Sequence, residues 1–120
     1  MTKKILVVDD ESDLLLVTLL RLRHVGYETF GAANGREALD LARQKMPNLI
    51  LMDVLLPVMN GDEVAKILSK EEATKNIPII LISANAKFLE DKFTTCGAAG
   101  CLTKPFKSDE LVATIKKYIG

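Results

Sequence analysis

Tryptophan is absent from this 120-residue chain, and it has one histidine, two cysteines and 5% aromatic residues. The single histidine, His24, falls in an apolar helical stretch and reads as a bystander. Histidine-based catalysis and an internal phosphohistidine donor are thereby set aside. Cys96 and Cys101 have no second pair and no nearby histidine to complete four metal ligands. They are expected to be two small buried hydrophobes in a reducing compartment. An excess of either charge is also missing. Sixteen acids face sixteen bases, so no global field draws the chain to nucleic acid or to an anionic membrane. No apolar run approaches a membrane span, and Met1-Thr2-Lys3-Lys4 leads into a strand without a signal-peptide pattern. The expected location is the cytoplasm.

What is present is a globular mixture, 48% hydrophobic and 27% charged, in a chain long enough to bury one core without staples. Short apolar runs alternate with helical patterns. Ile5-Leu6-Val7-Val8 reads as a buried strand, followed by a helix from Ser12 to Val25 that Gly26 stops. A second strand is expected from Tyr27 to Ala32, a turn at Asn34-Gly35, and a helix from Arg36 to Met46 ended by Pro47. Leu49 to Asp53 is the third strand, and Gly61 to about Ser69 a short helix with Val64, Ala65, Ile67 and Leu68 inward. Ile79 to Ile82 is the fourth strand, stopping at Ser83, before a more polar helix from about Lys87 to Cys96. A brief fifth strand around Cys101-Leu102-Thr103 precedes a last helix that Ser108 is expected to cap.

Five βα units in strict alternation predict an α/β fold: a doubly wound, five-stranded parallel sheet with helices on both faces. The flavodoxin-like strand order 2-1-3-4-5 is the expected one. In such a sheet, ligands bind where the strands end.

The residues at those ends are chemically matched. Strand one ends in Asp9 and Asp10, strand three in Asp53, strand four in Ser83 and strand five in Lys104. Three carboxylates at about 5 Å would repel by roughly 3 kcal/mol per pair at an effective dielectric of about 20. A hard divalent cation with oxygen ligands would relieve this, and Mg²⁺ is the one expected. With it, one carboxylate can attack phosphorus while cation and lysine take up charge on the phosphoryl oxygens. Ser83 would donate a hydrogen bond to the same group. Any one aspartate at a strand end could be a solvated turn residue; five matched groups on four strand ends argue for a site.

In Val7-Val8-Asp9-Asp10, Asp53-Val54-Leu55-Leu56-Pro57-Val58-Met59-Asn60-Gly61, Ser83-Ala84 and Lys104-Pro105-Phe106, the chain resembles the receiver domain of two-component response regulators, chemotaxis receivers among them. The likeness runs over essentially all of residues 1–120, which would form one such domain. It implies that Asp53 is the phosphoacceptor, and that Asp10, Asp53 and, through water, Asp9 hold Mg²⁺ together with the backbone carbonyl of Leu55. It implies that Lys104 pairs with the phosphoryl group and that the Lys104-Pro105 bond is cis. It further implies a phosphorelay protein, not an enzyme in the ordinary sense, that assists its own phosphorylation and slow dephosphorylation. The phosphoryl group would come from a histidine kinase or histidine phosphotransfer protein, and a downstream protein target would read the result.

Rival readings fit less well. A nucleotide binder needs a glycine-rich turn after strand one, and here that turn is Asp-Asp-Glu-Ser. A phosphatase with an aspartate nucleophile would normally place an acid two residues after Asp53, where Leu55 stands. A receiver-like interaction module that is never phosphorylated stays open as the alternative.

Two features bear on partners and output. Helix one carries leucines and valines almost all the way round, so part of that set is expected to form an exposed patch. A kinase or phosphotransfer helix could dock there, or two receivers could pair. Cys101 stands where the resembling family usually has Tyr or Phe, so no ring is available to swing inward on phosphorylation. Output would then pass through the backbone after Ser83 and through helix four, which bears Phe88 and Phe93. A phosphate shuttle with little conformational change is the other possibility.

Overall fold

The computed structural model describes residues 2–120, and the side chains of all of these but 88 and 92–95. Phe88 and Phe93, the aromatics expected to carry output, therefore lie outside the described side chains.

The elements run β1 Lys4–Val8, α1 Ser12–Val25, β2 Glu28–Ala32, α2 Gly35–Lys45, β3 Leu49–Asp53, α3 Gly61–Lys70, β4 Ile79–Ser83, α4 Ala86–Cys96, β5 Gly100–Thr103 and α5 Ser108–Ile119. All four neighbouring strand pairs are parallel, in the order β2-β1-β3-β4-β5. The expected doubly wound sheet and its strand order are observed.

The continuous apolar runs of β1, β3 and β4 follow from burial on both faces. Because successive side chains alternate, each strand feeds two cores. Leu6, Val8, Ile50, Met52, Ile79 and Leu81 pack under Ala38 and Leu39 of α2, Val64 and Leu68 of α3 and Leu89 of α4. Ile5, Val7, Leu49, Leu51, Ile80 and Ile82 pack under Leu19 and Leu22 of α1 and Leu111 and Ile115 of α5. Polar residues begin where both cores stop, at the carboxyl ends of the strands.

Several boundaries differ from expectation, each for a local reason. Tyr27 is buried but precedes β2, because its N–H closes the end of α1 on the Leu22 carbonyl at 3.1 Å. Asn34 caps α2, accepting from the Glu37 N–H at 2.9 Å, while Glu37 Oε1 accepts from the Ala33 N–H at 2.9 Å. That reciprocal cap starts the helix at Gly35. Ser108 is the first residue of α5 and not its cap. Lys107 holds the cap position, with its N–H donating to Glu110 at 3.4 Å. Ile67 is only half-buried, whereas Val64, Ala65 and Leu68 are fully inward.

The cysteines divide. Cys96 is buried as expected, but Cys101 is exposed. β5 is the edge strand, and Cys101 stands on its open face while the next residue, Leu102, turns toward the α1 and α5 core.

Candidate functional site

β1 and β3 are neighbours, and each ends in a carboxylate because hydrophobic side chains lose their cover there. Asp9 and Asp53 are only 6% and 7% exposed, whereas Asp10 is open to solvent. One carboxylate oxygen from each of the three lies within 4.8 Å of the others. Lys104, delivered by the turn after β5, sets its Nζ 3.0 Å from both Asp53 oxygens and 3.5 Å from Asp9 Oδ2. The Lys104-Pro105 bond that shapes this turn is cis. Ser83 is buried at the end of β4, and its Oγ accepts from the Asn85 N–H at 3.2 Å. Asp10, Asp53, Leu55, Ser83 and Lys104 line one cleft of about 280 Å³, together with Glu11, Ile82 and Ala84.

The residues singled out in the sequence therefore converge from four strands, with Asp9 behind the cleft. The Leu55 side chain is 66% exposed at the rim. Glu11 and Asn60 were not among the candidates. The Glu11 N–H donates to Asp9 Oδ1 at 2.9 Å and fixes that carboxylate. Asn60 Oδ1 accepts from the Leu56 N–H at 3.3 Å and pins the loop that carries Leu55. The Asn-Gly pair before an apolar run was the available signal for Asn60. Glu11 acts through its backbone, which leaves no mark in the side-chain pattern.

Burial is the main reason the Asp53 carboxyl is pushed up to about 7; Asp9 adds to the shift, and Lys104 opposes it. Burial alone would lower the Lys104 ammonium, but its hydrogen bond to Asp53 and the charges of Asp53 and Asp9 hold it above its ordinary range. One lysine against three carboxylates leaves the cluster short of positive charge. The set is hard oxygen donors, close-spaced and half open to water. That arrangement suits a small divalent cation which keeps some of its waters.

A five-stranded parallel α/β sheet whose carboxyl edge gathers three acids, a hydroxyl and a lysine defines the class of signalling receiver domains. The sequence matches the response regulator receiver domain family over residues 5–116, and the chain belongs to that family. It is 40% identical to the polar-differentiation response regulator DivK of Brucella ovis, covering 100% of this chain and 98% of that protein. The chemotaxis response regulator CheY4 of Vibrio cholerae superposes with a TM-score of 0.93 at 32% identity, covering 99% of this chain and 100% of that one. The receiver domain of the sensor histidine kinase PA1611 from Pseudomonas aeruginosa, solved with a magnesium ion coordinated in its active-site cleft, superposes with a TM-score of 0.92. It is 30% identical, with 100% and 99% of the two chains covered.

Proposed function

We propose that residues 1–120 act as one phosphoacceptor unit of a two-component relay, taking a phosphoryl group onto Asp53 with Mg²⁺ in the acidic cleft. The observation that carries this reading is the pairing of buried Asp53 with Lys104 inside the carboxylate cluster. Asp10, Asp53, the Leu55 carbonyl and, through water, Asp9 would hold the cation. When bound, Mg²⁺ supplies positive charge for the phosphoryl oxygens and makes ionised Asp53 compatible with its acidic neighbours.

The remaining work falls to the chain. An Asp53 oxygen attacks phosphorus in line with the donor's imidazole nitrogen; the P–O bond forms as the P–N bond breaks. Lys104 follows the charge from the carboxylate to the transferred group. Ser83 releases the Asn85 N–H as its own proton turns toward a phosphoryl oxygen. Ser83 Oγ accepts from the Asn85 N–H, and in this mechanism its hydroxyl serves as a hydrogen-bond donor to the phosphoryl group and not as a rival nucleophile. The donor is a phosphohistidine on a kinase or phosphotransfer protein, and a second protein reads the phosphorylated surface. The chain is a signalling phosphoacceptor. No helix among the described residues is long and apolar enough to cross a membrane, and a cytoplasmic location suits a relay protein of this kind.

Incubation with acetyl phosphate, followed by intact-mass measurement, tests this. A gain of one phosphoryl group is expected with Mg²⁺ and not with chelator, and Asp53→Asn should abolish it. A full gain in Asp53→Asn would overturn the assignment. No gain in the wild type under any condition would favour the interaction module that is never phosphorylated.

A further inference from the structure

Glu11 lines the acidic cleft beside Asp10, Asp53, Ser83 and Lys104 and is open to solvent. Its backbone is fully employed. The N–H fixes Asp9 Oδ1, and the carbonyl accepts from the Leu15 N–H at 2.9 Å to start α1. Its carboxylate has no such task. Glu11 holds the N-cap position of α1 without bonding any of the helix's first N–H groups. Among the described residues that carboxylate has no hydrogen-bond or ion-pair partner. Ser, Thr, Asp and Asn are the residues whose side chains reach back to cap a helix. Attraction to the helix dipole is already supplied by Asp13 in the first turn. The Glu11 charge is therefore surplus to the fold.

It is not surplus to the cleft. With Asp53 ionised, Asp9, Asp10 and Asp53 bring three negative charges against one positive charge on Lys104. A divalent cation brings that sum to zero, and Glu11 then makes the loaded cleft negative by one unit. Asp9, Asp10 and Asp53 form the trio that can close on an ion; Glu11 stands outside it and acts through its field.

We propose that Glu11 sets the charge of the loaded cleft, strengthening Mg²⁺ binding without ligating the ion and selecting against small dianionic phosphodonors. The second half rests on the phosphoacceptor reading above; the first needs only the cation. Acetyl phosphate approaches as a dianion. An Asp53 oxygen bonds phosphorus as the P–O bond to acetate breaks, and acetate leaves with the electron pair. Phosphoramidate delivers the same group from a protonated nitrogen that leaves as ammonia, so it carries less negative charge. A phosphohistidine with its second ring nitrogen protonated is alike in this respect. Glu11 thereby discriminates by donor charge without touching the donor. Across water, a unit charge roughly 10 Å from a divalent ion changes its affinity about threefold at low ionic strength.

Calorimetric titration with Mg²⁺ and intact-mass kinetics on the full chain test this, each at about 10 mM and about 500 mM salt. At low salt Glu11→Gln should weaken Mg²⁺ binding about threefold, and Glu11→Lys about tenfold. With Mg²⁺ saturating for each variant, the same changes should speed phosphorylation by acetyl phosphate about threefold and tenfold. Phosphoramidate should gain less than about twofold and about threefold. At high salt all these differences should fall below about 1.5-fold. Glu28→Gln, on β2 at the opposite edge of the sheet, should change neither measurement, and circular dichroism verifies that each variant is folded. Mg²⁺ affinity unaltered in both Glu11 variants overturns the proposal. So does a loss that persists at high salt, which marks a structural role, or acetyl phosphate slowed in Glu11→Gln. A wild type that takes no phosphoryl group from either donor removes the phosphoacceptor reading and the donor selection with it, while the Mg²⁺ titration still decides the first half.

Discussion

Lys104 Nζ sits 3.0 Å from both carboxylate oxygens of Asp53, across 51 residues of sequence. One cation thereby serves a pocket of three acids, and the two ends of the chain's third and fifth βα units are tied at the point where chemistry is proposed.

Removing that cation has two opposite consequences. Lys104→Met should slow phosphorylation by acetyl phosphate about 10- to 100-fold, because charge on the transferred group loses a preorganised partner. The same variant should bind Mg²⁺ about three- to tenfold more tightly in calorimetric titration, since a positive neighbour of the cation has gone. Weaker Mg²⁺ binding in Lys104→Met would show that the lysine organises the carboxylates more than it repels the metal.

The raised Asp53 carboxyl makes a pH prediction. Between about 4 and its folded value of about 7, the metal-free folded protein holds a proton that the unfolded chain has lost. Stability from this group is therefore fully present below about pH 4 and is lost as pH rises through 7. Urea unfolding of metal-free protein should show that decline. Asp53→Asn should flatten it and add on the order of 1 kcal/mol near pH 7.5. Mg²⁺ should stabilise the wild type more at pH 7.5 than at pH 5, where protons compete for the same oxygens.

Two glycines separate space from conformation. A Cβ on Gly61 would lie 2.0 Å from the Asp53 carbonyl oxygen and 2.7 Å from Met52 Cγ. Gly61→Ala should cost at least about 3 kcal/mol and displace Asp53, reducing phosphorylation as well. Gly26, at φ +116 with nothing within 4 Å of a built Cβ, ends α1 in open space. Gly26→Ala should cost only about 1–2 kcal/mol, the strain of a left-handed residue, with phosphorylation unchanged.

The exposed Cys101 predicts how a phosphorylated state differs from the free one. Its side chain already lies at the surface of the edge strand, so it has no buried position to leave. Structures of the free protein and of its beryllofluoride complex with Mg²⁺ should show Ser83 and the backbone of residues 84–86 shifting while the Cys101 side chain keeps its rotamer. A Cys101 that moves between buried and exposed positions would contradict this, and an unmoved Ser83 would favour a passive phosphate shuttle.

Much of this was written along the chain, because the determinants are local. Apolar runs of four or five residues ending in Asp9, Asp53 or Ser83 mark strands by their composition and their ends by a change of polarity. In a parallel sheet every such end lies on one edge, so the site could be assembled from sequence once the alternation was seen. The exposed patch of α1, formed by Leu16, Val17 and Leu20, was equally legible, since a helix apolar all round cannot bury every side chain against one sheet. Tertiary structure decided the rest. Whether Cys101 is buried depends on which strand forms the edge. The elevation of Asp53 depends on how deeply the folded chain buries it and on the nearby Asp9, against the opposing pull of Lys104. The roles of Glu11 and Asn60 rest on single hydrogen bonds to a carboxylate and a loop N–H. Periodicity reports which face a residue occupies; enclosure and distance arise only when elements far apart in sequence are packed together.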